Sequence, residues 1–236
     1  MSAQRTILIV EDEPAILENY SDALRREGYT VAPFLSAAPA LRSCRARLPD
    51  LVVLDVRLDG DSEAGFDLCR ELRALSRTLP IIFLTARDSE LDVVSGLRLG
   101  ADDYLTKDAT LGHVLARVAA LFRRVDAFRN ADEPAEVVVR GALRLDTARV
   151  QATWDGAPVP LTVTEYWLVD ALARRPGHVK SREQLMQEAN VLVDDATITS
   201  HVKRIRRKFQ SLDPGFRGIE TVYGLGYRWT ERTRQC

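Results

Sequence analysis

The sequence predicts an open parallel α/β sheet with helices on both faces, followed by a smaller α+β unit that closes in a hairpin. Three observations carry this. Five apolar runs alternate with five helical patterns across residues 1–125. A polar stretch, "FRNADEPAE" from Phe128, then breaks the alternation with Pro134 inside it. Beyond it, short strand-like pieces precede three helical patterns and a glycine-tipped "IETVYGLGYRWT".

In chain order, strands are expected at Ile7–Val10, Thr30–Phe34, Leu51–Leu54, Ile81–Leu84 and Asp103–Leu105, because each is a short apolar run bounded by polar or turn residues. Helical spacing marks Ala15–Glu27, Ala37–Arg47, Phe66–Ser76, Glu90–Leu99 and Leu111–Arg124. The linker is placed at 126–136. Residues 137–160 read as short strands with turns at Gly141 and Asp155-Gly156. The next helix has Thr162 or Thr164 as cap and Gly177 beyond its end. "SREQLMQEA" opens with an S-x-x-Q capping box, Ser181 and Gln184. A third helix spans Ala196–Gln210, and Gly224 and Gly226 tip the closing hairpin.

Composition, with 46 % hydrophobic and 28 % charged residues, is that of a globular chain. No apolar run reaches the length of a membrane span, and the start does not read as a signal peptide. Three cysteines, Cys44, Cys69 and Cys236, lack metal-type spacing and read as reduced thiols of a cytoplasmic protein. Acids exceed bases in the first 130 residues and bases exceed acids thereafter.

The chemistry is expected where strands end, because parallel sheets of this kind present their sites at the carboxyl ends of the strands. Glu11-Asp12, Asp55, Thr85-Ala86 and Lys107 follow the first, third, fourth and fifth strands. Singly, each reads equally well as a cap or a surface charge. In this order they form one rim. Adjacent carboxylates repel, and a hard divalent cation such as Mg²⁺ relieves the repulsion with oxygen ligands. A carboxylate so supported can act as a nucleophile toward phosphorus, with the metal and Lys107 meeting the phosphoryl charge.

The second candidate is "KRIRRK", Lys203 to Lys208, five basic residues in six. Ile198, Val202, Ile205 and Phe209 make one apolar stripe, and Ala196, Ser200, Lys203 and Arg207 the opposite face, flanked by Thr199 and Arg204. A basic outward face almost free of acid suits phosphate contact.

"ILIVEDE", "DLVVLDVRL", "PIIFLTA" and "GADDYLTK" resemble the response-regulator receiver domain over residues 5–124. The resemblance implies a flavodoxin-like fold and phosphorylation of Asp55 by a sensor histidine kinase. Asp12 would bind Mg²⁺ directly, with Glu11 acting through water and Asp55 completing the set. Thr85 would hydrogen-bond the phosphoryl group, Tyr104 swing inward, and Lys107 pair with the charge. Two departures stand out: Lys107-Asp108 replaces Lys-Pro with its cis bond, and the loop "LDGDSEAG" lacks the usual proline and brings Gly65 two positions late. Either the cost of a cis non-proline bond, about 2.5–4 kcal/mol, is offset locally, or the loop is trans and Lys107 is aimed differently.

"LTVTEYWLVDALARRPGHVKSREQLM", "HVKRIRRKF" and "IETVYGLGYRW" resemble the winged-helix output domain of the OmpR/PhoB family over residues 137–233. This implies double-stranded DNA, in tandem half-sites, with helix 196–210 in the major groove and the hairpin in the minor groove. Thr199, Ser200 and Arg204 fall at base-reading positions. His201, Lys203, Arg206, Arg207 and the hairpin's Arg228 are expected at phosphates or groove edges. The loop "EANVLVDDAT" replaces one that often touches RNA polymerase. The family's active receivers form homodimers; here Asp103 and Arg117 match one cross-subunit ion pair, Val93 and His113 replace another, Leu97 lies on the same surface, and Arg98 stands at a commonly acidic position. The expectation is therefore a two-domain transcriptional regulator, receiver 1–125 and output 137–233, and not an enzyme. Phosphorylation-independent DNA binding and, in a different class, a phosphotransfer enzyme remain as alternatives.

Overall fold

A computed structural model describes residues 4–86, 99–129, 137–189 and 195–230, with only the backbone described at 124–129, 195 and 196. The chain divides into two compact units, residues 1–119 and 120–236. In the first, β1 (Thr6–Val10), β2 (Thr30–Phe34), β3 (Leu51–Leu54), β4 (Ile81–Thr85) and β5 (Asp103–Thr106) form an all-parallel sheet in the order β2-β1-β3-β4-β5. This is the doubly wound, flavodoxin-like order. The three central strands are buried along almost their whole length, as their unbroken apolar runs require. β2 is an edge strand and tolerates Pro33, whose missing N–H would cost a ladder bond in the centre.

Helices α1 (Pro14–Arg26), α2 (Ala37–Ala46) and α3 (Ala64–Leu75) lie in this unit, and α4 (Leu111–Arg129) begins in it and runs across its boundary at residue 119. Pro14 sits in the first turn of α1, where no helical N–H is needed. The helix expected at Glu90–Leu99 falls, but for Leu99, outside the described residues. Helix α4 runs five residues past its expected end and takes in the start of the expected linker, because no glycine or proline interrupts residues 113–133.

The second unit opens with an antiparallel meander, β6 (Val137–Arg140), β7 (Leu143–Asp146), β8 (Gln151–Trp154) and β9 (Ala157–Val159). Asp155 and Gly156 both take positive φ, 48° and 81°, as the tight β8–β9 turn requires. Three helices follow: α5 (Val163–Ala173), α6 (Arg182–Glu188) and α7 (Asp195–Gln210). Thr162, of the two candidates, caps α5 in a capping box with Glu165, and Ser181 with Gln184 caps α6 as expected. β10 (Ile219–Val222) and β11 (Gly226–Trp229) form the closing hairpin. Trp154, Phe209, Phe216 and Trp229 pack edge-to-face and stacked beneath it, joining α7 to both sheets in one core. Among the described residues no helix is long and apolar enough to cross a membrane.

Candidate functional site

The carboxyl ends of β1, β3 and β5 converge on an acidic pocket. Glu11 and Asp55 are buried, and oxygens of Glu11, Asp12 and Asp55 lie within 4.8 Å of one another. Lys107 Nζ stands 2.7 Å from Asp55 Oδ2 and 2.8 Å from Glu11. Exposed Glu13 is 3.7 Å away. Burial pushes the Glu11 carboxyl up, an effect the Lys107 hydrogen bond only partly offsets. Burial alone would lower Lys107, but its bonds to Asp55 and Glu11 outweigh that and raise it, so the ammonium stays charged. One ammonium against three carboxylates leaves two negative charges on hard oxygen donors, which fits a divalent cation.

The departures at the rim are now explained. No described peptide bond is cis, so Lys107-Asp108 is trans, yet the lysine is aimed into the pocket. Its backbone N–H donates to Thr85 O at 2.8 Å, tying the loop after β5 to the end of β4. The lengthened loop closes on itself: Leu58 and Asp61 exchange backbone hydrogen bonds of 3.2 and 2.9 Å around Asp59 and Gly60, both at positive φ. The two extra residues are absorbed in that turn. Gly65 thereby arrives against the segment that follows β3, its N–H on Val56 O at 2.9 Å. A β-carbon there would sit 2.0 Å from Asp55 O. Thr85 is fully buried, and Tyr104 is buried against Phe83, ring centroids 5.9 Å apart.

On α7 the apolar stripe is buried as expected, and Lys203 and Arg207 are exposed with Thr199 and Ser200 half-buried beside them. Two residues expected at the DNA are paired within the chain in this structure. Arg204 is 8 % exposed; its Nε donates to the fully buried Glu165 and its Nη2 meets His201 Nδ1 at 3.0 Å. His201 is itself buried. Both lie 100° or more around the helix from Lys203. Glu165 is held down to about 2: burial opposes this, but the charges of Arg204 and Lys208 prevail. Arg206 is half-buried on the hairpin side, donating to Ile219 O and Thr221 Oγ1. Arg228 is paired with Glu220 across the hairpin at 2.8 Å. Sequence reasoning missed Arg182, whose guanidinium lies 5.7 Å from the Tyr227 ring and whose Nε reaches Thr199 Oγ1 at 3.4 Å. Only the three-dimensional approach of α6 to α7 reveals it. The expected dimer pair Asp103–Arg117 is made within the chain at 3.4 Å, and Arg117 Nε also donates to His113 at 3.0 Å. Val93, Leu97, Arg98 and most of the loop before α7 lie outside the described residues.

Residues 7–119 match the response regulator receiver domain, and residues 156–229 the family described as transcriptional regulatory protein, C terminal. The chain is 39 % identical over 229 residues to the transcriptional regulatory protein CreB of Escherichia coli (strain K12), covering 95 % of this chain and 97 % of CreB. It is 40 % identical to the transcriptional regulatory protein BaeR of Escherichia coli O6:H1, covering 94 % and 92 %. The solved structure of the response regulator DrrB, a Thermotoga maritima OmpR/PhoB homolog, aligns with a TM-score of 0.52 at 28 % identity, over 96 % of this chain and 99 % of that one. With an acidic pocket at the strand ends of a flavodoxin-like unit and a basic helix beside a hairpin in the next, the chain belongs to the OmpR/PhoB family of two-component transcriptional response regulators.

Proposed function

We propose that a sensor histidine kinase phosphorylates Asp55, and that this controls homodimerisation through the receiver and binding to tandem half-sites on double-stranded DNA. The contact of Lys107 Nζ with both Asp55 and Glu11, beside a third carboxylate, carries the reading. In the transfer, an Asp55 oxygen forms a bond to phosphorus while the P–N bond of the donor's phosphohistidine breaks. The imidazole leaves with the electron pair of that bond, as the neutral ring when its other nitrogen carries a proton. Lys107 meets the non-bridging oxygens, Thr85 supplies a hydroxyl, and Tyr104 packs behind it. Glu11, Asp12 and Asp55 would hold Mg²⁺, whose charge neutralises that of the phosphoryl group. The receiver is assigned to 1–125, the linker to 126–136 and the output domain to 137–233, in a cytoplasmic protein whose loop before α7 is a candidate contact for RNA polymerase. Thr199, Ser200, Lys203 and Arg207 face the DNA. The regulator is not assigned an enzymatic role beyond its own phosphorylation.

The test is labelling by acetyl phosphate with Mg²⁺. The wild type should gain an acid-labile phosphoryl group and Asp55→Asn should not. Asp12→Ala should weaken Mg²⁺ binding with the fold intact. Undiminished labelling of Asp55→Asn would overturn the assignment.

A further inference from the structure

The turn after β5 carries Asp108 where the resemblance expects proline. Thr106, the last residue of β5, lies opposite Thr85 in the parallel register. The chain then folds back in one β-turn: Ala109 N–H donates to Thr106 O at 3.0 Å, with Lys107 and Asp108 at the two corners. Asp108 is exposed, yet its carboxylate turns back inside the turn and accepts from the Thr106 hydroxyl. It does not cap α4. That place is taken by Thr110, whose O and Oγ1 both receive the His113 N–H, at 2.9 and 3.3 Å. Lys107 donates its own N–H to Thr85 O, 2.8 Å away. The backbone at Lys107 is thus held by the strand before it, the turn around it and the end of β4 beside it, and from there Nζ reaches Asp55 and Glu11.

We propose that Asp108 is a positioning residue for phosphoryl transfer: its carboxylate, bonded to the Thr106 hydroxyl, fixes the turn that aims Lys107 at Asp55. The proposal rests on the assignment of Asp55 as phosphoacceptor above. A proline restricts a turn through its ring, which locks φ. Aspartate has no such ring, but its short side chain can hydrogen-bond within its own turn and stiffen it that way. The stiffness matters because stabilisation of developing charge depends on a donor already in place when the reaction begins. A released turn would give Lys107 another carboxylate to follow, since exposed Glu13 already stands 3.7 Å from Nζ. An ammonium drawn outward to Glu13 is withdrawn from the phosphoryl oxygens. Asp108 therefore acts through Lys107, and its effect falls on the rate of labelling.

The experiment measures the initial rate at which full-length protein takes label from radioactive acetyl phosphate with Mg²⁺. Asp108→Ala should slow it about three- to thirtyfold, the range for a displacement of less than about 1 Å. Asp108→Asn should stay near the wild-type rate, because its Oδ1 still accepts the Thr106 hydroxyl. Thr106→Val, which loses the hydroxyl and keeps the branched shape, should slow labelling as Asp108→Ala does. The double variant Thr106→Val/Asp108→Ala should be no slower than either single one, since both remove the same bond. A wild-type rate for Asp108→Ala would overturn the proposal. So would a rate raised equally in Asp108→Ala and Asp108→Asn, which would show that the carboxylate only repels the anionic donor, or losses that multiply in the double variant. In each of these results the wild type is labelled, and the assignment of Asp55 stands. A wild type that takes no label, or an Asp55→Asn protein that takes as much, would instead overturn that assignment and the role of Asp108 with it.

Discussion

Glu165 is fully enclosed, and burial by itself would drive its carboxyl toward the neutral form; Arg204 and Lys208 keep it ionised, at about 2. Removing one partner of such a pair strands a charge in the core and typically costs about 3–5 kcal/mol. Arg204→Ala should therefore destabilise the output unit by about that much in urea unfolding, with any loss of DNA binding following the loss of fold. A selective relaxation of sequence preference at wild-type stability would contradict this. The linkage has a definite sign: a carboxyl depressed from 4.5 to about 2 contributes stability that is full above 4.5 and lost as pH falls toward 2. The contribution is about 3 kcal/mol at neutral pH. Unfolding midpoints measured at about pH 5 and about pH 3 should differ more for the wild type than for Glu165→Gln, which has no proton to gain. Periodicity placed Arg204 at the flank of the basic face, but it reports angles around one helix. The acid that captures Arg204 lies 39 residues earlier, in the capping box of α5. The T-x-x-E spacing there was visible in the sequence; its second use, as the anchor of α7, was not.

The rim loop shows how an element can change length and keep its endpoint. Five strands, the Ser181–Gln184 capping box and the Asp155-Gly156 turn were legible because each is encoded within a few residues of itself. The consequence of two extra residues after Asp55 was not, since it depends on whether a closed turn forms. Leu58 and Asp61 form it, and Gly65 is returned to within hydrogen-bonding distance of Val56. Gly65→Ala would drive a β-carbon into Asp55 O, a backbone atom that cannot swing aside. The Asp55 segment must shift, and displacements of about 1 Å cost up to about a hundredfold in reactions governed by positioning. Labelling by acetyl phosphate should slow about ten- to a hundredfold, with the protein still folded by circular dichroism. Gly60→Ala is the contrast. Nothing lies within 4 Å of that β-carbon, but φ is +77°. It should cost about 1 kcal/mol in stability and leave the labelling rate near that of the wild type. Equal labelling rates for Gly65→Ala and wild type would show that Gly65 does not position the acceptor.

At the scale of the whole molecule, the question is how one regulator becomes two. Family likeness suggested that Asp103 and Arg117 pair across subunits, a matter that one chain's sequence cannot decide because both residues are equally available to their own chain. In the structure they pair at home, and His113, where the family usually carries an acid, adds a ring nitrogen that accepts from Arg117 Nε at 3.0 Å. Acceptance by that nitrogen requires the neutral imidazole. Arg117 must leave both partners before it can reach a second copy. The held hydrogen bond opposes dimerisation by roughly 0.5–1.5 kcal/mol per protomer, while a new exposed ion pair returns about 0–1. His113→Ala removes the local acceptor and leaves Arg117 tied only to Asp103. We therefore expect the phosphorylated full-length variant to dimerise about five- to 150-fold more tightly than wild type in sedimentation equilibrium, since two protomers are released. The gain should shrink as salt is raised, because the contact it releases is ionic. Arg117→Ala in the same background should abolish the gain. A dimer constant unchanged by His113→Ala at both low and high salt would show that the histidine does not restrain Arg117, and that the interface is governed by other residues of the receiver.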